Sequence, residues 1–196
     1  VLQAAGLEYS WKSLWTPVVM PDHAGCHQDC NFCTLVCPTG AIQPLNIAVK
    51  RRVHMGLARV DTNTCLPFRQ ADRRECDVCC VECRQAGYDA IEMREIEIPL
   101  DPPPPEGMFS ELELLAMTRI RAPFVNAEAC VGCGICQYRC HTLYVVQKQI
   151  LGSSAVRVFA ENEHRLESYP ADPEELPRRI GAVTVFWGWP EPEYTT

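Results

Sequence analysis

The sequence predicts an α+β fold of tandem cysteine-bounded modules, with short strands, short helices and much irregular chain. Three observations carry this expectation. Twelve of the thirteen cysteines fall into three groups of four. Sixteen prolines and eleven glycines among 196 residues leave few stretches long enough for extended regular elements. The apolar segments that remain are short and alternating, as in Ala155–Phe159 and Ala182–Phe186, which is the pattern of half-buried strands. A chain built this way has little apolar core, so much of its folding energy must come from what the cysteines bind.

The first group is Cys26, Cys30, Cys33 and Cys37, with Pro38 directly after it. The second is Cys65, Cys76, Cys79 and Cys83, with Cys80 as an odd neighbour, and the third is Cys130, Cys133, Cys136 and Cys140. Spacings of two, two and three residues in the third group, nearly repeated in the others, suit iron-sulfur cubanes. Each iron at a cubane corner takes one thiolate. Three thiolates from a tight loop let the backbone wrap the cube, and Gly132 and Gly134 permit the close turns this needs. The fourth cysteine begins a short helix directed away from that cube and ligates its neighbour. The expected cofactors are therefore two complete [4Fe-4S] clusters and a third [4Fe-4S] cluster. On the exchange rule Cys26, Cys30 and Cys33 pair with Cys83, and Cys65, Cys76 and Cys79 pair with Cys37, leaving Cys80 as a packed thiol. Cys140 then has two readings. Either it closes the cube held by Cys130, Cys133 and Cys136, or it ligates a fourth cluster shared with a missing segment upstream of Val1.

Other cysteine chemistries fit less of the pattern. An odd cysteine total argues against a pure disulfide framework. Zinc could take Cys76, Cys79 and Cys83 with His23, His27 or His141, but zinc gives no reason for three near-identical runs. Cys26, Cys30 and Cys33 also match the three-thiolate spacing of radical enzymes with one open iron. Such enzymes need a partial barrel after the motif, and this chain places further cysteine groups there. The alternatives to an electron carrier are thus a radical-type enzyme with an open-iron [4Fe-4S] cluster at Cys26/Cys30/Cys33, or a scaffold whose metal serves only the fold. No catalytic residue is assigned, and no phosphate-cradling glycine loop is present.

The organisation follows the cysteines. Residues 1–25 form a Trp-containing extended arm, with Trp11 and Trp15, and residues 26–98 a two-cluster module. Within the module Thr39–Ile42 and Tyr88–Ile91 are matching turns into short strands, an imperfect internal repeat. Between its halves, Lys50, Arg51, Arg52, His54 and Arg59 give a basic face to a strand or short helix, either a solvated surface or a docking patch for an acidic redox partner. The charged Asp72–Glu75 loops out between second-group ligands. Residues 99–125 are a proline-rich spacer and a helix, with Ser110 as N-cap and Glu113 completing a capping box. Residues 126–160 carry the third cluster motif. Residues 161–196 form an acidic interface tail, with eight acids against three arginines and with Trp187 and Trp189 near its end.

The net charge of −7 weighs against a nucleic-acid partner. No apolar stretch approaches the roughly 20 residues needed to span a bilayer. Clusters need reduced thiols during assembly, which points to the cytoplasm at that stage.

Gly56–Asp61 leading into Cys65-Leu66-Pro67, and then Cys76-Asp77-Val78-Cys79, resembles the polyferredoxins accessory to nitrate reductase and methylamine dehydrogenase. Leu14–Pro17, Cys33 to Ile42 and Cys130–Cys136 extend the resemblance over about residues 7–160. It implies a bacterial-type ferredoxin fold and a relay role in a membrane-associated oxidoreductase complex. It also implies redox protein subunits as partners, including a membrane component or an upstream part of the same polypeptide, and no small organic substrate. Membrane association would come through those partners, with the cytoplasmic face the expected side. The chain departs from the family pattern at Arg84 and His141, where proline is usual, and in its acidic tail.

Overall fold

A computed structural model describes residues 2–4, 6, 11, 15, 17–38, 42–69, 74–100, 103–105, 107–160, 172 and 174. Residues 39–41 of the expected turn after Cys37, Asp72 and Arg73 of the charged loop, and the strand expected at Ala182–Phe186 lie outside them. So does the acidic tail apart from Asp172 and Glu174.

Near the start, β1 (Leu2–Ala4) pairs antiparallel with β2 (Pro17–Val19), and Trp11 and Trp15 are both well exposed. Two short helices follow, α1 (Phe32–Val36) inside the first cysteine group and α2 (Ile47–Lys50) after it. Asn46 caps α2 by accepting the Val49 N–H at 2.8 Å, which satisfies one of the amides a helix start leaves unpaired.

The remainder is a strand-loop-helix-strand pattern that occurs twice. In the first copy, β3 (Leu57–Val60) leads through the Cys65–Cys76 loop to α3 (Val78–Gln85) and β4 (Ile91–Glu97). A proline-containing spacer and α4 (Glu111–Thr118) intervene. In the second copy, β5 (Arg119–Val125) leads through the Cys130–Cys133 loop to α5 (Ile135–Cys140), a π-helical turn over His141–Gln147, and β6 (Val156–Phe159). The copies interlock, because β4 pairs antiparallel with β5 from Ile91↔Val125 to Glu97↔Arg119, and β3 pairs with β6 from Leu57↔Phe159 to Val60↔Val156. The open two-stranded sheets and short helices make a small α+β domain consistent with a ferredoxin-like fold.

This pairing joins the outer strands of the double copy to each other and the inner strands to each other, so α3 and α5 pack side by side. Arg139 on α5 and Glu82 on α3 meet across that contact at 2.6 Å. The β3–β6 pair joins the segments drawn from sequence as 26–98 and 126–160, and β4–β5 joins 26–98 to the end of 99–125, so the second and third cysteine groups pack together. Cysteines supply much of the buried core there. One buried cluster contains Cys79, Cys80, Cys83, Cys130 and Cys136 with Ala58, Ile91 and Val156. The other contains Cys65 and Cys140 with Leu66, Tyr144, Leu151 and Ala155.

The capping box expected at α4 is present. Ser110 Oγ accepts the Glu113 N–H, and Glu113 Oε2 accepts the Ser110 N–H at 2.8 Å. The strand expected at Ala155–Phe159 is β6, and the one beginning at Tyr88–Ile91 is β4. Ile42, after the first group, lies in a bend instead of a strand.

Candidate metal centres

The exchange rule applied to spacing alone groups Cys83 with the first cysteines and Cys37 with the second. The structure gathers the thiols differently. Cys65, Cys76, Cys79 and Cys140 line one cavity, and Cys83, Cys130, Cys133 and Cys136 line another. The atom-free space at the two cavities, counted with the solvent at their mouths, is about 330 and 320 Å³. The physical reason is the strand pairing just described. Setting α3 beside α5 carries each helix's last cysteine to the loop that precedes the other helix. Cys140 therefore stands with Cys65, Cys76 and Cys79, and neither of the two sequence readings of Cys140 described that arrangement.

The walls of both cavities are otherwise apolar, with Leu66, Pro123 and Val156 in the first and Ala58, Ile91 and Val158 in the second. Gly132 and Gly134 turn the second cavity's loop through the left-handed region, with φ of +71° and +79°. A Cβ on Gly132 would lie 2.5 Å from the Gly56 backbone, so the loop closes this tightly only because both positions are glycine. His54 Nδ1–H donates to the Cys130 carbonyl at 2.7 Å and pins the start of the same loop.

Backbone N–H groups point at the sulfurs. Ala58 donates to Cys130 Sγ at 3.4 Å and Ala90 to Cys83 Sγ at 3.2 Å. Burial nevertheless dominates the acidity of these thiols. It pushes Cys65 up to about 12, with the neighbouring Cys76 and Cys140 adding to the rise. Burial likewise pushes Cys133 up to about 11 against a backbone N–H from Ile135, and it raises Cys79 and Cys136 as well. Four thiolates in one apolar cavity repel each other, so they ionise together only around a compensating positive charge. Among the described residues, no three His, Cys, Asp or Glu side chains converge closely enough to hold a single metal ion.

Each cavity also carries one tyrosine. Tyr144, in the π-helical turn after Cys140, lines the first cavity with Cys76 and holds Lys148 Nζ 5.0 Å above its ring. Tyr88 lines the other cavity, and its Oη is, among the described residues, the buried side-chain polar atom left without a partner. Such an unmade hydrogen bond costs about 1–3 kcal/mol. Spacing arguments confined to cysteine passed over both tyrosines, although each follows the last cysteine of its run by only four or five positions.

Cys80 lies outside both cavities and donates its S–H to the Ile91 carbonyl at 3.0 Å. Among the basic residues after the first group, Lys50 is buried and donates to the His27 carbonyl at 2.5 Å, Arg51 pairs with Asp29, and Arg59 stacks on Phe159. Part of that basic face is therefore spent inside the molecule. The first group itself sits near the surface. Cys30 is exposed, Cys26, Cys33 and Cys37 are half-buried, and neither of the two cavities includes any of them. It touches the buried pair at one point, where the Cys26 N–H donates to the Cys133 carbonyl at 2.6 Å.

The chain shows partial similarity to ferredoxin-type proteins. Over 128 residues it is 31% identical to the methylamine utilization ferredoxin-type protein MauM of Methylobacillus flagellatus, covering 65% of this chain and 42% of that protein. Over 167 residues it is 26% identical to the protein of the same name from Methylophilus methylotrophus, covering 81% of this chain and 60% of that protein. The chain thus spans only about two fifths to three fifths of these relatives. No family model and no solved structure matches it.

Proposed function

We propose that the chain is a multi-cluster iron-sulfur subunit that relays single electrons between redox partner proteins. Cys65, Cys76, Cys79 and Cys140 would hold one [4Fe-4S] cluster, and Cys83, Cys130, Cys133 and Cys136 a second. Cys26, Cys30, Cys33 and Cys37 would contribute to a third. When bound, each cluster takes up and returns one electron. The single observation that carries the reading is the pair of four-thiol cavities closed by exchanged fourth cysteines. Each corner of a cubane takes its own thiolate, so donors arranged around a cavity, without converging on a point, are what a cubane requires. The partial similarity to ferredoxin-type proteins supports the same role.

This chain's own residues would set how the clusters behave. The amides of Ala58 and Ala90 lower the energy of negative charge on Cys130 and Cys83, which favours the reduced state. Cys79 of one cavity shares a single buried cluster with Cys83, Cys130 and Cys136 of the other, so the two sites are close neighbours. The Cys26–Cys133 hydrogen bond sets the first group beside the second cavity, which favours that cavity as the middle station. Among the described residues no helix is long and apolar enough to cross a membrane, and the reading assigns membrane association to partner subunits. The cytoplasmic face, where reduced thiols are at hand for cluster assembly, is the proposed side. No organic substrate is required.

The test is anaerobic cluster assembly on the full chain, followed by iron and sulfide quantification and EPR of the reduced protein. The expected result is at least about eight irons per chain, with one reducing equivalent per cluster. Zinc in place of iron, or fewer than about four irons, overturns the reading.

A further inference from the structure

The Tyr88 hydroxyl is buried, lacks a protein partner and lines the cavity of Cys83, Cys130, Cys133 and Cys136. Cys133 lines the same cavity and accepts the Cys26 N–H at 2.6 Å, and Gly87, next to Tyr88 in the chain, lies against the Gln28 side chain of the first group. It therefore stands where the first cysteine group meets the buried pair. The sister cavity offers a direct comparison, because Tyr144 occupies a corresponding place after Cys140 and lines that cavity with Cys76. A phenol O–H has one proton to donate. In the Tyr88 cavity the candidate acceptors are sulfur, either of a cysteine or of whatever the four thiols hold.

We propose that Tyr88 donates its hydroxyl proton in a hydrogen bond to sulfur of the cluster held by Cys83, Cys130, Cys133 and Cys136, and so raises that cluster's reduction potential above the value its cysteines alone would set. The inference rests on the cluster reading above. Its physical basis is that reduction adds one negative charge to the iron-sulfur core. A fixed donor stabilises the more negative state more than the less negative one, so the electron is held more tightly. Neither bond nor proton changes owner in the step. Tyr88 is in this sense a positioning residue for the electron, and its place in the second cavity makes the effect fall on the site facing the first group.

EPR-monitored redox titration of the full, cluster-loaded chain tests this. Tyr88→Phe removes the donor and little volume. It should keep its iron and lower one midpoint, so that at the unsubstituted protein's midpoint the reduced-to-oxidised ratio falls about tenfold, a shift of ~59 mV for one electron. The other midpoints should stay in place. Site-specific replacement of Tyr88 by 3-fluorotyrosine, a more acidic phenol and a stronger donor, should move the same midpoint upward. If Tyr88→Phe loses iron, the fluorinated protein decides the matter by the sign of its shift. Unmoved midpoints at full iron content overturn the role of Tyr88 while leaving the cluster reading intact. A chain that assembles no cluster overturns both.

Discussion

The first cysteine group and the exchanged second and third groups are close to one another in spacing and opposite in setting. Cys26, Cys30, Cys33 and Cys37 surround α1, in which no residue is buried and Phe32 and Leu35 are each 67% exposed. Seven of the eight cysteines of the other two groups are buried, most of them within the two buried clusters. The difference teaches that a run of two loop cysteines and two in or at the end of the helix that follows is half a device. What converts it into an enclosed site is a second run held at the right angle, and that comes from β3 pairing with β6 and β4 with β5.

The sharpest way to break the comparison is to remove the first group and then Cys83. In a chain with Cys26, Cys30 and Cys33 all changed to alanine, adding Cys83→Ala should cost about four more irons, because Cys83 belongs with the third group. An unchanged iron count on adding Cys83→Ala would return Cys83 to the first group and dissolve the contrast. On the proposed cluster reading the same addition should sharply destabilise the fold, since the cluster's binding energy is then folding energy.

Packing should show the next largest difference. Ile91, 2% exposed at the start of β4, should lose about 2–5 kcal/mol when changed to alanine, whereas Leu35→Ala on α1 should stay within about 0.5 kcal/mol. Denaturant unfolding of the cluster-loaded protein measures both, and equal losses would mean that the two regions are equally packed. Gly132→Ala is the loop counterpart. Its φ of +71° and its contact with Gly56 should make the change cost more than about 1 kcal/mol and slow iron uptake at the second cavity, leaving the first cavity's EPR signal in place.

Smaller effects than those in the core should lie at α4, which lines neither cavity. Ser110→Ala should cost about 1 kcal/mol, read by hydrogen exchange at the Leu114 amide, which donates to the Ser110 carbonyl. The Ser110 backbone N–H, and then its hydroxyl, hold the Glu113 carboxyl below its ordinary range. A carboxylate with a lowered folded value contributes stability above its unfolded pKa and loses it as pH falls through the folded one. Protection of Leu114 should accordingly weaken on acidification below the usual glutamate range, and Glu113→Gln should flatten that dependence. A flat profile in the unsubstituted protein would remove the charge from the account of this cap.

Local chemistry was legible wherever it depends on neighbours in the chain. The Ser110–Glu113 box, the alternation of β6 and the turn into β4 follow from residues within a few positions of one another, because caps and strand faces are short-range matters. The setting apart of Cys80 from the ligand runs belongs here too, since the gap from Cys79 to Cys83 repeats the gap from Cys33 to Cys37. The internal repeat was legible only in part. Tyr88–Ile91 was matched to the segment after Cys37, whereas its structural counterpart is the approach to β6. The long Cys65–Cys76 interval and the spacer before α4 hide that second copy from any fixed-period comparison.

By itself, then, the sequence determined that twelve thiols are supplied in three runs of cluster spacing, and where the short elements around them begin. Which run completes which was decided only by tertiary structure. A fourth cysteine on a helix points wherever that helix is packed, and α3 packs on α5 because distant strands pair, β3 with β6 and β4 with β5. The same packing buries the Tyr88 hydroxyl against the thiols of its cavity. No spacing rule could have placed it there, since Cys133 of its cavity and Gln28 of the first group lie far away along the chain in opposite directions.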